Sequence, residues 1–321
     1  MSLAGRGGET KEWQLNPVES STADQSADAT GAVDSLPIEV RTLLRAAGMQ
    51  AEAVLEITRL TSPLQKKRNF RVDTTDGRRV KARLFPTTER RQRVAALMPL
   101  LAGLPFARIL AHGGRVTLEE WIEGNALDPL AVTVALARQA GDILGSLHTR
   151  GGYDDTYCAG MPDTRALLER LDRHLEVVQL HGAASAKQCR QLAMLARDHC
   201  PDSLDSGLIH ADFCLDNMVL TASGELFLVD NEDLRVGVLD YDLARCWSRW
   251  PMTPGQRRAF LEGYEHYRSA SAFTAHKGFW GVIALVMSLQ VFLRHGHSRL
   301  DLQEALLHLA RGATEDLWPR S

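Results

Sequence analysis

The segment His210-Ala211-Asp212-Phe213-Cys214-Leu215-Asp216-Asn217 gathers an imidazole, carboxylates and an amide on one short stretch. An apolar run follows, Met218-Val219-Leu220, then a turn at Ala222-Ser223-Gly224, a second apolar run Leu226-Phe227-Leu228-Val229, and Asp230-Asn231-Glu232. A hairpin centred between Ser223 and Gly224 sets Asn217 opposite Asp230 at the open end of the ribbon. Opposed residues there have Cα atoms about 5 Å apart, close enough for an amide oxygen and a carboxylate to share a hard cation. Mg²⁺ suits such a pair, because it takes a few oxygen ligands and keeps several waters. Asp212, on the loop entering the ribbon, is placed to receive a hydroxyl proton and fix its direction, with His210 bracing the loop backbone. H-x-D-x-x-x-x-N followed by a strand-end Asp is the arrangement that phosphoryl transfer from a nucleoside triphosphate employs. That chemistry asks little covalent work of the protein, but it needs charge neutralised and an acceptor aligned. An Asp or Asn near a turn is commonly only a cap, and the short motif alone recurs by chance. The apolar hairpin, Asp230 and the downstream Asp242, in that order, are what set this occurrence apart.

The elements that must position these residues fall into two textures. Residues 1–36 are rich in Ser, Ala, Asp, Gly and Thr, lack an apolar period and are expected to form a disordered tail. From residue 37 to 121 strand patterns dominate: residues 53–60, then Phe70–Thr74 and Arg79–Phe85 on either side of Asp76-Gly77, a strong hairpin signal. A helix is expected over Thr88–Leu101, then a strand pair at Ala107–Ala111 and Val116–Trp121. From residue 122 to 321 the pattern is helical, with Leu136, Ala140, Ile143, Leu144 and Leu147 on one face, and further helices over 164–180, 185–199, 255–269, 278–294 and 301–312.

Composition narrows the class. The chain has 321 residues, 45% of them hydrophobic, enough for a sizeable core, and 37 Lys or Arg against 40 Asp or Glu leave a net charge of −3. That excludes a strongly basic nucleic-acid-binding face as a whole-chain property. Five cysteines without a Cys-x-x-Cys pair argue against a zinc site or a disulfide framework and fit a reducing cytoplasm. The start lacks the apolar stretch of a signal peptide, and Phe279–Leu293 is too short to span a bilayer. A cytoplasmic protein without membrane or nucleic-acid partners is therefore expected. No G-x-S-x-G, H-E-x-x-H, Walker or dinucleotide fingerprint is present.

With those residues in view, the chain resembles the aminoglycoside phosphotransferase and choline kinase family, from about residue 53 to 270. The resemblance rests on His210-Ala211-Asp212…Asn217, Val229-Asp230-Asn231-Glu232 and Tyr241-Asp242-Leu243-Ala244-Arg245. Softer support comes from Leu118–Gly124, Leu144-Gly145-Ser146-Leu147-His148 and Phe260-Leu261-Glu262-Gly263-Tyr264. It implies an α+β, bilobal protein-kinase-like fold, with a small antiparallel-sheet N-lobe and a larger helical C-lobe. It implies transfer of the γ-phosphoryl group of ATP or GTP to a hydroxyl of a small molecule. Asp212 would be the base, Asn217 and Asp230 would hold Mg²⁺ with Glu232 nearby, and Asp242 would be a structural acid bracing the catalytic loop.

In the small lobe the family places a strand cation on the nucleotide phosphates, paired with a helix glutamate. Lys81 is the first choice for the cation, and Arg83, on the same strand face, competes with it. Glu89 is the default partner, although its place at a helix start equally suits the helix dipole. Glu119 and Trp121 lie on the stretch that resembles the adenine-binding linker, with Trp121 more suited to packing. The loop 61–70 contains no glycine, so Ser62 is the candidate donor to phosphate. Ala211 replaces the family's usual glycine.

Within the fold, a kinase of protein, glycan or lipid acceptors, and a nucleotide-binding pseudokinase scaffold, are the alternatives. Only a short interval separates Asp230 from Asp242, too little for the activation segment on which a peptide would sit. From Pro251 onward eight Lys or Arg face six Asp or Glu, so the lobe lacks the acidic excess that a polycationic acceptor favours. Asp154, Asp155, Asp216, Asp233, Glu262 and Glu265 are the acids that could supply it.

Overall fold

The computed structural model describes residues 33–57, 68–128, 131–158, 161–250 and 252–294. The expected helix over 301–312, the loop carrying Ser62 and most of the N-terminal tail lie outside them. Val33–Ser35, ahead of the boundary expected at residue 37, form a 3₁₀ turn followed by the buried Leu36.

Helix α1 (Ile38–Ala46) precedes a five-stranded antiparallel sheet built of β1 (Ala51–Ile57), β2 (Arg68–Thr74), β3 (Arg79–Leu84), β4 (Ile109–Gly113) and β5 (Val116–Glu120). The strand order is β1-β2-β3-β5-β4, and α2 (Thr88–Leu97) fills the excursion between β3 and β4. Apolar residues of α1 (Val40, Leu44) pack on Val54, Phe70, Val72, Val80, Ala82 and Leu118 of the sheet, closing a small separate core. Helix α2 turns Val94 and Leu97 instead toward the large lobe's core, so it ties the two lobes together.

The large lobe contains β6 (Asn125–Ala126), α3 (Val134–His148), α4 (Thr164–Leu180), α5 (Ala186–Asp198), β7 (Ser206–Ile209), β8 (Met218–Leu220), β9 (Leu226–Leu228), β10 (Arg235–Val238), α6 (Leu239–Arg249), α7 (Pro254–Glu265), α8 (Ser271–Ala275) and α9 (Lys277–Arg294). β8 and β9 form the expected apolar hairpin, joined at its edge by β6. Beyond the expectation lie the β7–β10 ribbon, which leads into and out of the motif region, and helix α6, besides the short β6 and α8. Among the described residues, no helix is long and apolar enough to cross a membrane.

Two hairpins, β2–β3 and β8–β9, turn the same way. Each has a three-residue loop ending in a left-handed glycine, Gly77 (φ 79°) and Gly224 (φ 84°). In each, the glycine N–H donates to the carbonyl of the threonine that opens the loop, Thr74 or Thr221. Loops of this kind are a type I turn followed by a left-handed residue.

Helices α3 and α7 explain the softer motifs. A Cβ added to Gly141 would fall 2.0 Å from the Phe260 carbonyl oxygen, one at Gly145 2.6 Å from that of Tyr264, and one at Gly263 2.1 Å from that of Arg138. Backbone therefore meets backbone, and only glycine permits the approach. Gly141→Ala is expected to destabilise the protein by about 1–3 kcal/mol, the usual cost of overpacking. Gly255→Ala, in the first turn of α7 with open space around it, should be neutral. Urea unfolding of the two variants checks this, and equal midpoints would contradict the close crossing.

Candidate active site

The loop between β7 and the β8–β9 hairpin is built around one buried carboxylate. Asp242, in the first turn of α6 and wholly inaccessible, accepts the N–H groups of His210 at 2.6 Å and Ala211 at 2.8 Å. Its Oδ2 also lies 3.5 Å from His148 Nε2, while His148 Nδ1 meets the Tyr264 hydroxyl at 2.9 Å. Burial pushes the Asp242 carboxyl up, but His148 and the His210 contacts outweigh it and hold the group below the usual carboxylate range. Ala211 has φ 64°, the one non-glycine residue among those described in the left-handed region. There, a side chain with Cβ costs roughly 1–2 kcal/mol. The turn is held by Asp242, and it re-aims the chain so that Asp212 faces outward.

His210 is fully buried between the rings of Phe106 and Phe213. Its Nδ1 accepts the Asp212 N–H at 3.3 Å and its Nε2 meets Asn231 Oδ1 at 3.3 Å. Asn231 in turn donates to the Ala107 carbonyl at 3.3 Å. Buried and bonded to the loop's own N–H, His210 stands as a positioning residue, the bracing role expected of it, and does not face the cleft.

Asp212 is partly open. Its Oδ1 receives two guanidinium groups, Arg245 Nη2 at 2.6 Å and Arg249 Nη1 at 2.6 Å. Its Oδ2 accepts Asn217 Nδ2 at 3.0 Å, and the same amide donates to the Asp212 carbonyl at 2.8 Å. Desolvation would raise the Asp212 carboxyl, yet Arg249, Arg245 and His210 together depress it. Sequence reasoning noted Arg245 only as part of a motif and missed Arg249. Asp242, Arg245 and Arg249 are spaced three and four apart, a single helical face, so recognising α6 as a helix would have found both.

The expected register of the ribbon needs correction. Met218 pairs with Leu228 and Leu220 with Leu226, and the Val229 N–H donates to the Asn217 carbonyl at 3.0 Å. Asn217 thus faces Val229, one residue short of Asp230, because the loop holds three residues and not two. Asn217 also closes a 3₁₀ turn, Leu215–Asn217, so its side chain is aimed by that turn and by Asp212, outside the strand's alternation.

Across the cleft, β3 contributes two cations to the ribbon's end. Lys81 Nζ donates to the Val229 carbonyl at 2.9 Å and lies 3.9 Å from Glu119 Oε2. Arg83, with 1% of its side chain exposed, contacts Glu119 at 3.0 Å, Asp230 at 2.5 Å and Glu232 at 2.9 Å. Burial works against this charge, and the three carboxylates more than restore it. The strand cation's acid is therefore Glu119 on β5, steadied by the Thr117 hydroxyl at 2.8 Å. Glu89 is not that partner. It is exposed at the start of α2, where its own N–H and the Thr87 side chain lower its carboxyl. Glu119 acts here through its side chain in the small lobe. Trp121 is half-buried under the Arg71 guanidinium, 5.9 Å from the ring.

Asn217, Asp230 and Glu232 present only oxygen ligands of amide and carboxylate type, which fits Mg²⁺ and not a softer metal. Among the described residues, no three His, Cys, Asp or Glu side chains converge to cage an ion unaided.

The model of the phosphotransferase enzyme family matches residues 57–274. A homoserine kinase of Beijerinckia indica is 30% identical over 158 residues, which is 46% of this chain; the match spans about half, 48%, of that relative. Among solved structures, the choline kinase of Streptococcus pneumoniae superposes with a TM-score of 0.58 at 18% identity, covering 81% of this chain and 94% of the other. A spectinomycin phosphotransferase in complex with ADP and spectinomycin gives 0.56 at 12% identity, covering 85% and 95%. These likenesses establish the bilobal kinase-like α+β fold.

The Asp242 carboxyl is depressed in the folded protein, so its contribution is present above its unfolded pKa of about 4 and is lost as pH falls through the folded value. Asp242→Asn turns an amide N–H toward backbone donors, so the variant should be about 1–3 kcal/mol less stable at pH 7. The deficit should shrink at pH 3. Urea midpoints at the two pH values check it; an unchanged deficit would remove the carboxylate's charge from the account.

Proposed function

This chain belongs to the phosphotransferase enzyme family, and from that premise we propose that it moves the γ-phosphoryl group of ATP to a hydroxyl of a small molecule. The supporting observation is the meeting of Asp212, Asn217, Asp230 and the strand cation Arg83 in the interlobe crevice. Asp212 directs the acceptor hydroxyl and takes its proton as the oxygen attacks phosphorus. Its depressed carboxyl stays ionised at neutral pH, and a loose transition state needs alignment more than a strong base. Asn217 fixes the Asp212 carboxylate, and with Asp230 and Glu232 it holds Mg²⁺. When bound, the ion neutralises charge on the phosphates. Arg83 and Lys81 face the phosphates from β3, with Glu119 keeping Arg83 in place, and the backbone of the linker after β5 meets the adenine.

ATP is preferred over GTP because one superposable relative holds ADP. An alcohol as acceptor agrees with the names of the relatives, which act on homoserine, choline and spectinomycin. A protein acceptor is disfavoured, since β10 and the start of α6 already fill the interval from Asp230 to Asp242. A catalytically dead scaffold is disfavoured, because Asp212, Asn217 and Asp230 are all present.

Asp212→Asn should keep the thermal shift given by ATP with Mg²⁺ and lower acceptor-dependent ADP release by about 10²–10⁴-fold, the range for a lost general base. A full rate would remove Asp212 as the base. Asp230→Ala should abolish the Mg²⁺-dependent part of the thermal shift; an unchanged shift would remove it as a ligand.

A further inference from the structure

Resting on that reading, we infer that the acceptor is a hydroxy acid, whose carboxylate is bound by Arg245 and Arg249 while its hydroxyl meets Asp212. Both guanidinium groups lie 2.6 Å from the same oxygen of Asp212. Oδ1 is thereby filled, and a hydroxyl that reaches Asp212 through the remaining lone pair of Oδ2 enters beside both guanidinium groups. Arg245 has only 14% of its side chain exposed, so water screens its charge little and a second anion beside it is favoured. An acceptor carboxylate supplies that anion, and the planar guanidinium fork suits it. A cationic acceptor would instead enter beside two positive charges.

Three of the six acids that could have met a polycation are already engaged with cations. Asp216 pairs with Arg249, Asp233 with Arg90, and Glu262 with Arg138.

The rival role for the two arginines is to clamp the γ-phosphate. Matched pairs of hydroxy acids and their primary amides, C3 to C6 and including α-amino members such as homoserine, separate the two when assayed by ADP release with choline and an aminoglycoside alongside. The expected result is a preference for acid over amide of about 10–100-fold in kcat/KM, the value of one charge-assisted contact. Arg249→Gln, at a partly exposed position, should raise the KM of the acid and bring the acid-to-amide ratio toward one, and Arg245→Lys should do so partially. Equal use of acids and amides, use of neutral or cationic alcohols only, or failure of every hydroxy acid would overturn the inference. A fall in kcat that is the same for acid and amide in Arg249→Gln would assign the arginines to the phosphate instead. Turnover of any alcohol that vanishes in Asp212→Asn but ignores acceptor charge defeats this inference alone. Turnover that survives Asp212→Asn defeats the assigned base.

Discussion

A carboxylate that water cannot reach must be satisfied by the protein around it, and in this fold Asp242 is the one whose demands shape the catalytic loop. Its two oxygens draw in consecutive backbone N–H groups, those of His210 and Ala211. Consecutive amides converge on one acceptor only when the chain is sharply folded, and this is why Ala211 sits in the left-handed region despite its Cβ. The next residue is Asp212. Its outward direction is thus a consequence of a charge buried on another element, with His148 and Tyr264 linking that charge to the α3–α7 crossing. The glycines of that crossing and the aspartate facing the cleft belong to one structural chain of cause.

A second buried charge performs the same service between the lobes. Arg83 leaves β3 and lies among Glu119 of its own sheet and Asp230 and Glu232 of the large lobe. Three carboxylates at such short range would repel one another, and the guanidinium standing between them offsets that repulsion. His210, Asn231 and the Ala107 carbonyl form a parallel link of neutral hydrogen bonds. The crevice is therefore lined by groups whose partners lie on both sides of it.

The sequence made the two-lobed architecture legible, because strand alternation and helical spacing are local signals. Helices α4, α7 and α9 start within a residue of expectation. The motif residues were legible too, Asp242 among them, whose carboxylate accepts the His210 N–H of the loop. What escaped depended on tertiary pairing. Glu89 was chosen for Arg83 or Lys81 because it was the only acid in the adjacent helix, whereas the true neighbour is set by the β3–β5 register, which places Glu119 across from Lys81. The ribbon's register slipped by one because turn residues were recognised without counting the loop that a left-handed glycine closes. Helix α6 was hidden by its own charges. Read as a motif, Asp242 and Arg245 did not look like members of a helical face.

Whole-chain charge was the least informative quantity, and the structure explains why. A net of −3 says nothing of how charge is sorted within the crevice. On the β3 side, carboxylates outnumber cations: Glu119, Asp230 and Glu232 surround Arg83, with Lys81 beside them. On the other side, Arg245 and Arg249 converge on one oxygen of Asp212 and Arg249 also reaches Asp216, so cations and carboxylates balance. An acid-rich region and a balanced one differ in the ligands they can hold. Asp212 and Asn217 stand at the boundary, joined by a 3.0 Å hydrogen bond. That bond ties the acid-rich region to the balanced one, so a change of charge on either side is felt at the Asp212 carboxylate.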